Sequence, residues 1–272
     1  MQPGTSPSVI SLSFGRGGKH AIMAICLDDT GKTTSHSKFN NLVDEDQKEA
    51  FWALLNDHNP DVVVLGGFSA ETRRLWNDVD QALKEHAHQR MMDDRSVDQA
   101  SLFPRDHDHW PAQMQTKQIP LIYGIDDVAR IYMNSQRAQQ ENPGWPANAR
   151  YALGLARYVQ DPLNEFCALG SDLTTITFVP DYQPLVGLFH TASGHQLTLS
   201  FIQIGQERLL QVLERALVNV VNGVGLDINQ AVRDSYLQKL LPYLSGLGPR
   251  KADAMIKAIG KSVSVPRVAQ MP

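Results

Sequence analysis

The segment Asp61–Leu65, DVVVL, is a run of apolar residues behind a single acid. A strand with one wet face alternates apolar and polar side chains. A strand without that alternation is covered on both faces, as in a parallel sheet lying between helices. Ile119–Tyr123 reads as a second buried strand. Ahead of both, Val9–Phe14, Ala21–Leu27 and a stretch around Ser35–Phe39 read as strands. Turns separate them at Gly15–Lys19 and at Asp28–Lys32, where DDTG carries hairpin chemistry. Asp44–Asn56 has helical spacing, with Ala50, Leu54 and Leu55 on one face beside Phe51. Ser69 suits the N-cap of a helix running to about Gln89, with Thr72 where a capping box would place Glu or Gln. Asp126 suits the N-cap of another, from Asp127 to about Ala138. Met91–Lys117 reads as a polar, irregular excursion and Glu141–Pro146 as a loop.

Three hairpin strands followed by helix, strand, helix, strand, helix describe a mixed α/β sheet, and the order resembles that of the ribonuclease H-like fold. After Pro146 the pattern is all-helical. Asn148–Val159 is one helix, and Glu207–Val221 is another with Leu209, Leu210, Leu213, Leu217, Val220 and Val221 on its apolar face. Tyr236–Leu244 and Arg250–Ile259 follow. Two domains suit 272 residues, and a 42% hydrophobic fraction suffices for packed cores. No apolar run approaches the ~18 residues of a membrane span. Met1–Ser8 lacks the basic-then-apolar order of a signal peptide. Cys26 and Cys167 are the only cysteines, too few for a disulfide framework, and read as inert, reduced core residues of an intracellular protein.

Between the last two helical stretches lies GLGPRKA, Gly246–Ala252. Gly246 and Gly248 permit the positive φ angles of a tight turn. Pro249 suits the first helical position, where no N–H is lost. Arg250 and Lys251 then occupy the opening turn. Free backbone N–H groups and two cations at one helix start attract phosphate without reading bases. The same pattern equally suits an ordinary helix–turn–helix corner. Charge distribution bears on the choice. From Arg233 onward seven cations face two acids, a net +5, which leaves −9 on the first 232 residues. A basic end on an acidic body fits a nucleic-acid footprint confined to that end, although a solvated basic helix face has the same composition.

Longer stretches resemble one family. They are RYALGLARYVQDPLNEFCALGSD (Arg150–Asp172), LERALVNVVNGVGLDIN (Leu213–Asn229) and LLPYLSGLGPRKADAMIKAIG (Leu240–Gly260), with PDVVVLGGFSAET (Pro60–Thr72) and IPLIYGIDDVARIYMNSQRA (Ile119–Ala138) from the first half. Together they resemble the core of the eukaryotic transcription elongation factor and histone chaperone of the suppressor-of-Ty type, related to bacterial Tex. The resemblance runs from Val9 to Gly260. It implies an α/β ribonuclease H-like (YqgF) domain over residues 8–162, followed by an all-α helix-hairpin-helix domain over residues 163–260. It also implies a nuclear protein without cofactor, engaging DNA backbone non-specifically, histones or nucleosomes, and the RNA polymerase II elongation complex. Gly246, Gly248, Arg250 and Lys251 would then be the nucleic-acid-binding residues. The family's acidic N-terminal region, helix-turn-helix segment, OB-fold domain and Src-homology domains are not recognisable, so the chain reads as a fragment or a truncated gene model.

Active members of the ribonuclease H and RuvC group hold divalent ions with carboxylates at sheet ends. Ser13 stands where the first strand would carry Asp. Leu65, Gly66 and Gly67 end the fourth strand without an acid, and Arg150 and Tyr151 open the last helix where an Asp is expected. A hydroxyl does not replace a carboxylate on Mg²⁺, so the expectation is a non-catalytic domain. A DNA glycosylase would need a catalytic Asp beyond the hairpin, and no acid follows Asp253. Asp106, His107, Asp108 and His109 read as a solvated loop rather than a metal site. Gly15, Gly17 and Gly18 read as a hairpin turn rather than a phosphate loop.

The family pattern passes from Gln183–Val186 directly to Gly205–Arg208. The intervening Gly187–Ile204, 18 residues that include His190 and His195, reads as an insertion or an in-frame retained intron. A genuine surface loop is the alternative, and either origin predicts a poorly packed loop before the Glu207 helix. Residues 261–272 leave the family pattern as a tail.

Overall fold

The computed structural model describes residues 6–14, 21–67, 70–100, 118–176, 195–228, 231 and 234–263. It divides into two compact units, Met1–Gln160 and Asp161–Pro272.

The first unit is built on five strands: β1 (Val9–Ser13), β2 (Ile22–Leu27), β3 (Thr33–Phe39), β4 (Val62–Gly66) and β5 (Leu121–Gly124). They lie in the order β3-β2-β1-β4-β5. β1, β2 and β3 pair antiparallel, while β1–β4 and β4–β5 are parallel. The expected mixed sheet is present. DVVVL does what its composition demands: Val63 and Leu65 enter one core, while Val62 and Val64 enter the other.

The first core lies under α1 (Glu45–His58) and α2 (Ala70–Ala100), with Phe51, Leu54, Leu55, Leu75 and Val79 packed on Ile10 and Leu12. Ala50 is exposed, contrary to the face assigned from spacing, and Lys48 is buried beside Phe51 and Leu55. Its ammonium reaches Glu85 at 3.1 Å and Glu45 at 3.3 Å, so its stem packs while its charge is paired. α2 continues ten residues into the stretch expected to be irregular. Ser69, the Gly15–Gly18 turn and the Asp106–His109 cluster lie outside the described residues.

The second core lies under α3 (Asp127–Asn134) and α5 (Ala147–Gln160), with α4 (Gln136–Glu141) between them in sequence. The single helix expected from Asp127 to Ala138 is two. Ser135 adopts an extended conformation, and its hydroxyl accepts the Ala138 N–H at 3.0 Å, ending one helix and capping the next. Asp126 stands at the N-cap of α3 but makes no capping bond with its side chain.

The second unit holds α6 (Pro162–Leu169), a 3₁₀ helix (Gly170–Thr175), the long α7 (His195–Val224), a second 3₁₀ helix (Leu237–Tyr243) and α8 (Gly248–Val263). Asp161 caps α6 by accepting the Asn164 N–H at 3.0 Å, with Pro162 opening the helix. The predicted loop before Glu207 is not found where the chain is described: His195–Ile204 is the first third of α7. That stretch contains no proline and no glycine, Gly194 and Gly205 lying just outside it, so nothing in it breaks a helix. Gly187–Gly194 lies outside the described residues. Leu217 and Val221 are buried and Leu210 and Leu213 half-buried, but Leu209 and Val220, assigned to the same face, are exposed. The segment expected as a helix over Tyr236–Leu244 is 3₁₀, consistent with Pro242 inside it, which has no N–H to offer. No helix among the described residues is long and apolar enough to cross a membrane.

Candidate nucleic-acid interface

The hairpin hangs between the second 3₁₀ helix and α8. Leu244 N–H donates to Leu241 at 3.2 Å, and Leu247 N–H donates to Leu244 at 3.0 Å, which folds the connection into two tight turns. Gly246 (φ +86°) and Gly248 (φ +60°) occupy the left-handed region, as the sequence anticipated. A side chain at either would meet no atom within 4 Å, so backbone conformation, not crowding, favours glycine here. That open space surrounds the start of α8, whose first N–H groups have no intrahelical acceptor.

Pro249, Arg250 and Lys251 are exposed, whereas Ala252 is fully buried against Leu241 and Ala231. Leu226, Leu237, Leu244, Met255 and Ile256 surround this small core. The buried alanine fixes the azimuth of α8 and turns the two preceding cations outward. Their roles differ. Lys251 Nζ donates to the Gly246 carbonyl at 3.0 Å, tying the helix start back to the turn. For Arg250 no such contact is found among the described residues. The structure thus brings Gly246, Gly248, Arg250 and Lys251 together at one corner.

Sequence reasoning missed Asn222. Its Nδ2 donates to the Tyr243 carbonyl at 3.1 Å and to Val218 at 2.5 Å, while its Oδ1 accepts the Ser245 N–H at 3.1 Å. One amide thereby fastens the hairpin to α7. An Asn near a helix end has no sequence signature for a contact more than twenty residues away. Behind the second 3₁₀ helix, Tyr243 Oη donates to the Cys167 carbonyl at 3.4 Å, and burial pushes the Cys167 thiol up to about 12. Cys26 is likewise buried and pushed up to about 11. Neither thiol is a nucleophile near neutral pH.

In the first unit, the positions singled out for carboxylates converge. Ser13 at the end of β1 donates to the Asn148 carbonyl in the first turn of α5 at 3.0 Å, and Ser11 donates to Ala152 at 2.6 Å. One turn on from Asn148, Tyr151 lies over the end of β4: a Cβ on Gly66 would collide with the phenol oxygen and with Leu155. The Tyr151 hydroxyl donates to Asp126 Oδ2 at 2.7 Å, and Arg130 Nε reaches the same oxygen at 2.8 Å. Burial, reinforced by the Asp126 carboxylate, raises the phenol well above its ordinary range, so it remains a donor. Among the described residues no three His, Cys, Asp or Glu side chains gather as a metal site would require.

The fold and corner define a class: a ribonuclease H-type domain followed by a helix-hairpin-helix domain. Comparison with known proteins specifies it further. Residues 105–170 match a family model described as the Holliday-junction resolvase-like YqgF domain of SPT6, and residues 197–266 match a helix-hairpin-helix motif. The chain is 36% identical over 265 residues to a transcription elongation factor, spt-6, of Neurospora crassa. It is 35% identical over 273 residues to spt6 of Emericella nidulans, and 33% identical over 257 residues to spt6 of Schizosaccharomyces pombe. These alignments cover 96%, 96% and 94% of this chain, but only 17%, 17% and 15% of the relatives. The chain is therefore a homologue of the SPT6 transcription elongation factors, related to them through their YqgF and helix-hairpin-helix domains.

Proposed function

We propose that this chain is a non-catalytic core segment of a nuclear transcription elongation factor and histone chaperone. In this reading the helix-hairpin-helix domain (residues 163–260) grips nucleic-acid backbone, and the YqgF domain (residues 8–162) is a scaffold. The corner itself carries the proposal. Two left-handed glycines present the unbonded N–H groups of a 16-residue helix beside Arg250 and Lys251, with open space around the turn. Contacts of this kind hold phosphate and read no sequence. The relatives' name, transcription elongation factor, fits a partner within an elongation complex; the reading assigns histones or nucleosomes and RNA polymerase II to that role. The −9 on the first 232 residues suits a basic partner such as a histone. The YqgF domain does no nuclease chemistry in this reading, because Ser13, Gly66 and Tyr151 offer no carboxylate for a divalent ion.

One observation favours a purely structural hairpin: Lys251 is already engaged with the Gly246 carbonyl. A single titration separates the two readings. Duplex DNA binding is followed by fluorescence anisotropy across a salt series for the wild type and for Arg250→Ala/Lys251→Ala. If both cations contact phosphate, the double variant binds more weakly at low salt, and its log–log salt slope is shallower by about two. Unchanged affinity at low salt assigns the hairpin to packing. Mg²⁺- or Mn²⁺-dependent cleavage of branched DNA by the purified protein would overturn the non-catalytic assignment.

A further inference from the structure

The long helix α7 carries a broad apolar arc, and its own unit covers only one side of it. Leu217 and Val221 are buried within it. Beside them, Leu209, Val212, Ala216, Val220 and Val224 recur every three or four residues, the spacing of a single stripe on a straight helix. All five are exposed, Val212 at 60% and Val224 at 73%. Scattered exposed apolar residues are ordinary, whereas an ordered stripe of them marks an interaction surface. Arg208 and Arg215, two turns apart, line one side of it. Both are exposed, and neither has an ion-pair partner among the described residues. The nearby acids of α7, Glu207 and Glu214, fall on the far side of the helix by the same periodicity.

We propose that this stripe docks an amphipathic α-helix of another protein, its apolar seam along α7 and its carboxylates facing Arg208 and Arg215. The stripe's relief suits a helix. Ala216 lies midway between Val212 and Val220, giving a shallow waist in which a second helix can approach at packing distance. Its charge suits an acidic one, because two cations occupy one flank and, among the described residues, no acid pairs with them there. A membrane surface suits it less, since the stripe holds no aromatic residue to anchor at an interface and only two cations. A second copy of this chain also suits it less. A two-fold axis through an antiparallel α7 pair sets each flank against itself, so Arg215 would face Arg215.

The test uses the full chain and two synthetic fluorescein-labelled helices of about three heptads, leucine along the seam, one with glutamate and one with lysine flanks. The expected result is saturable binding of the glutamate helix that weakens with salt, and much weaker binding of the lysine helix. Val212→Asp should weaken binding by about tenfold or more. Arg208→Glu/Arg215→Glu should reverse the preference between the two helices. Both sites are exposed, so the variants should keep the wild-type circular dichroism. The proposal is overturned if the two helices bind equally, if neither binds, or if Val212→Asp binds like the wild type. It is also overturned if the wild type is a dimer that Val212→Asp dissociates, or if the stripe binds phosphatidylserine vesicles in preference to the glutamate helix.

Discussion

Tyr151→Phe tests whether the phenol over β4 is a structural bond or merely a filler. The substitution keeps the ring, so the volume over Gly66 stays occupied and no cavity opens. What is lost is one O–H donor, 2.7 Å from Asp126 Oδ2. Asp126 is 7% exposed, so water can scarcely replace that donor. A second partner, Arg130, has a side chain 61% exposed, and an ion pair to so open a group contributes little. A buried hydrogen bond to a charged group is worth about 1.5–3 kcal/mol. The expected loss is therefore about 2 kcal/mol from the stability of the first unit. The three described tryptophans, Trp52, Trp76 and Trp145, belong to that unit, and the fourth, Trp110, falls within its sequence span, so urea unfolding followed by tryptophan fluorescence reports on it. Asp126→Asn completes a cycle. Against a neutral acceptor the same Tyr151→Phe change should cost only about 1 kcal/mol, giving a coupling of about 1 kcal/mol. A loss below about 0.5 kcal/mol, or the same loss in both backgrounds, would refute the assignment of this bond as the chief partner of Asp126.

Two further outcomes follow from other contacts. Asn222→Ala removes one donor and one acceptor that fasten the hairpin to α7, in a place where water can take over. The second unit should lose about 1 kcal/mol, and duplex DNA affinity should fall although no cation has changed. Wild-type hydrogen-exchange protection at Ser245 in the variant would contradict this. Cys26→Ala changes the alkaline limb of stability. Its thiol is held up to about 11, above the ordinary value near 9. Below pH 9 the thiol is protonated in both states and its contribution is complete. Between 9 and 11 the unfolded chain ionises first, and that contribution drains away. The gap between wild type and variant at pH 8 should therefore shift by about 2 kcal/mol in the variant's favour at pH 10.5. A gap independent of pH would show that burial does not hold the thiol protonated.

The parts of the fold that rest on local chemistry were legible in the chain. DVVVL has no polar alternation, so burial on both faces follows from composition, and the two cores divide its side chains residue by residue. GLGPRKA combines two residues that tolerate positive φ with one that opens helices, and both glycines are where that reading placed them. What escaped depends on which of several permitted contacts is made. Periodicity placed Leu209 and Val220 on one face with Leu217 and Val221, because adjacent apolar stripes on one helix are indistinguishable until a neighbour covers one of them. Ser135 splits a helix with a capping bond that competes with helix continuation, and propensity alone does not decide that contest. Asn222 acts across the hairpin, beyond any local pattern.

The end of β4 shows why the same limit applies to chemistry. That Ser13, Gly66 and Tyr151 are not acids can be read from the sequence, but how they pack cannot. Here Gly66 and Tyr151 are reciprocal: the phenol can lie over the strand only because Gly66 has no Cβ, and it stays there because Asp126 accepts its proton donor. Placing an acid at residue 66 alone would drive its Cβ into the ring, an overpacking that costs about 1–3 kcal/mol, without supplying the other ligands a divalent ion needs. Building a carboxylate cluster at this sheet end would require changes at Gly66, Tyr151 and Ser13 together. A change at residue 66 meets the Tyr151 ring and Leu155, and changes at Ser13 or Tyr151 each break a hydrogen bond already in place.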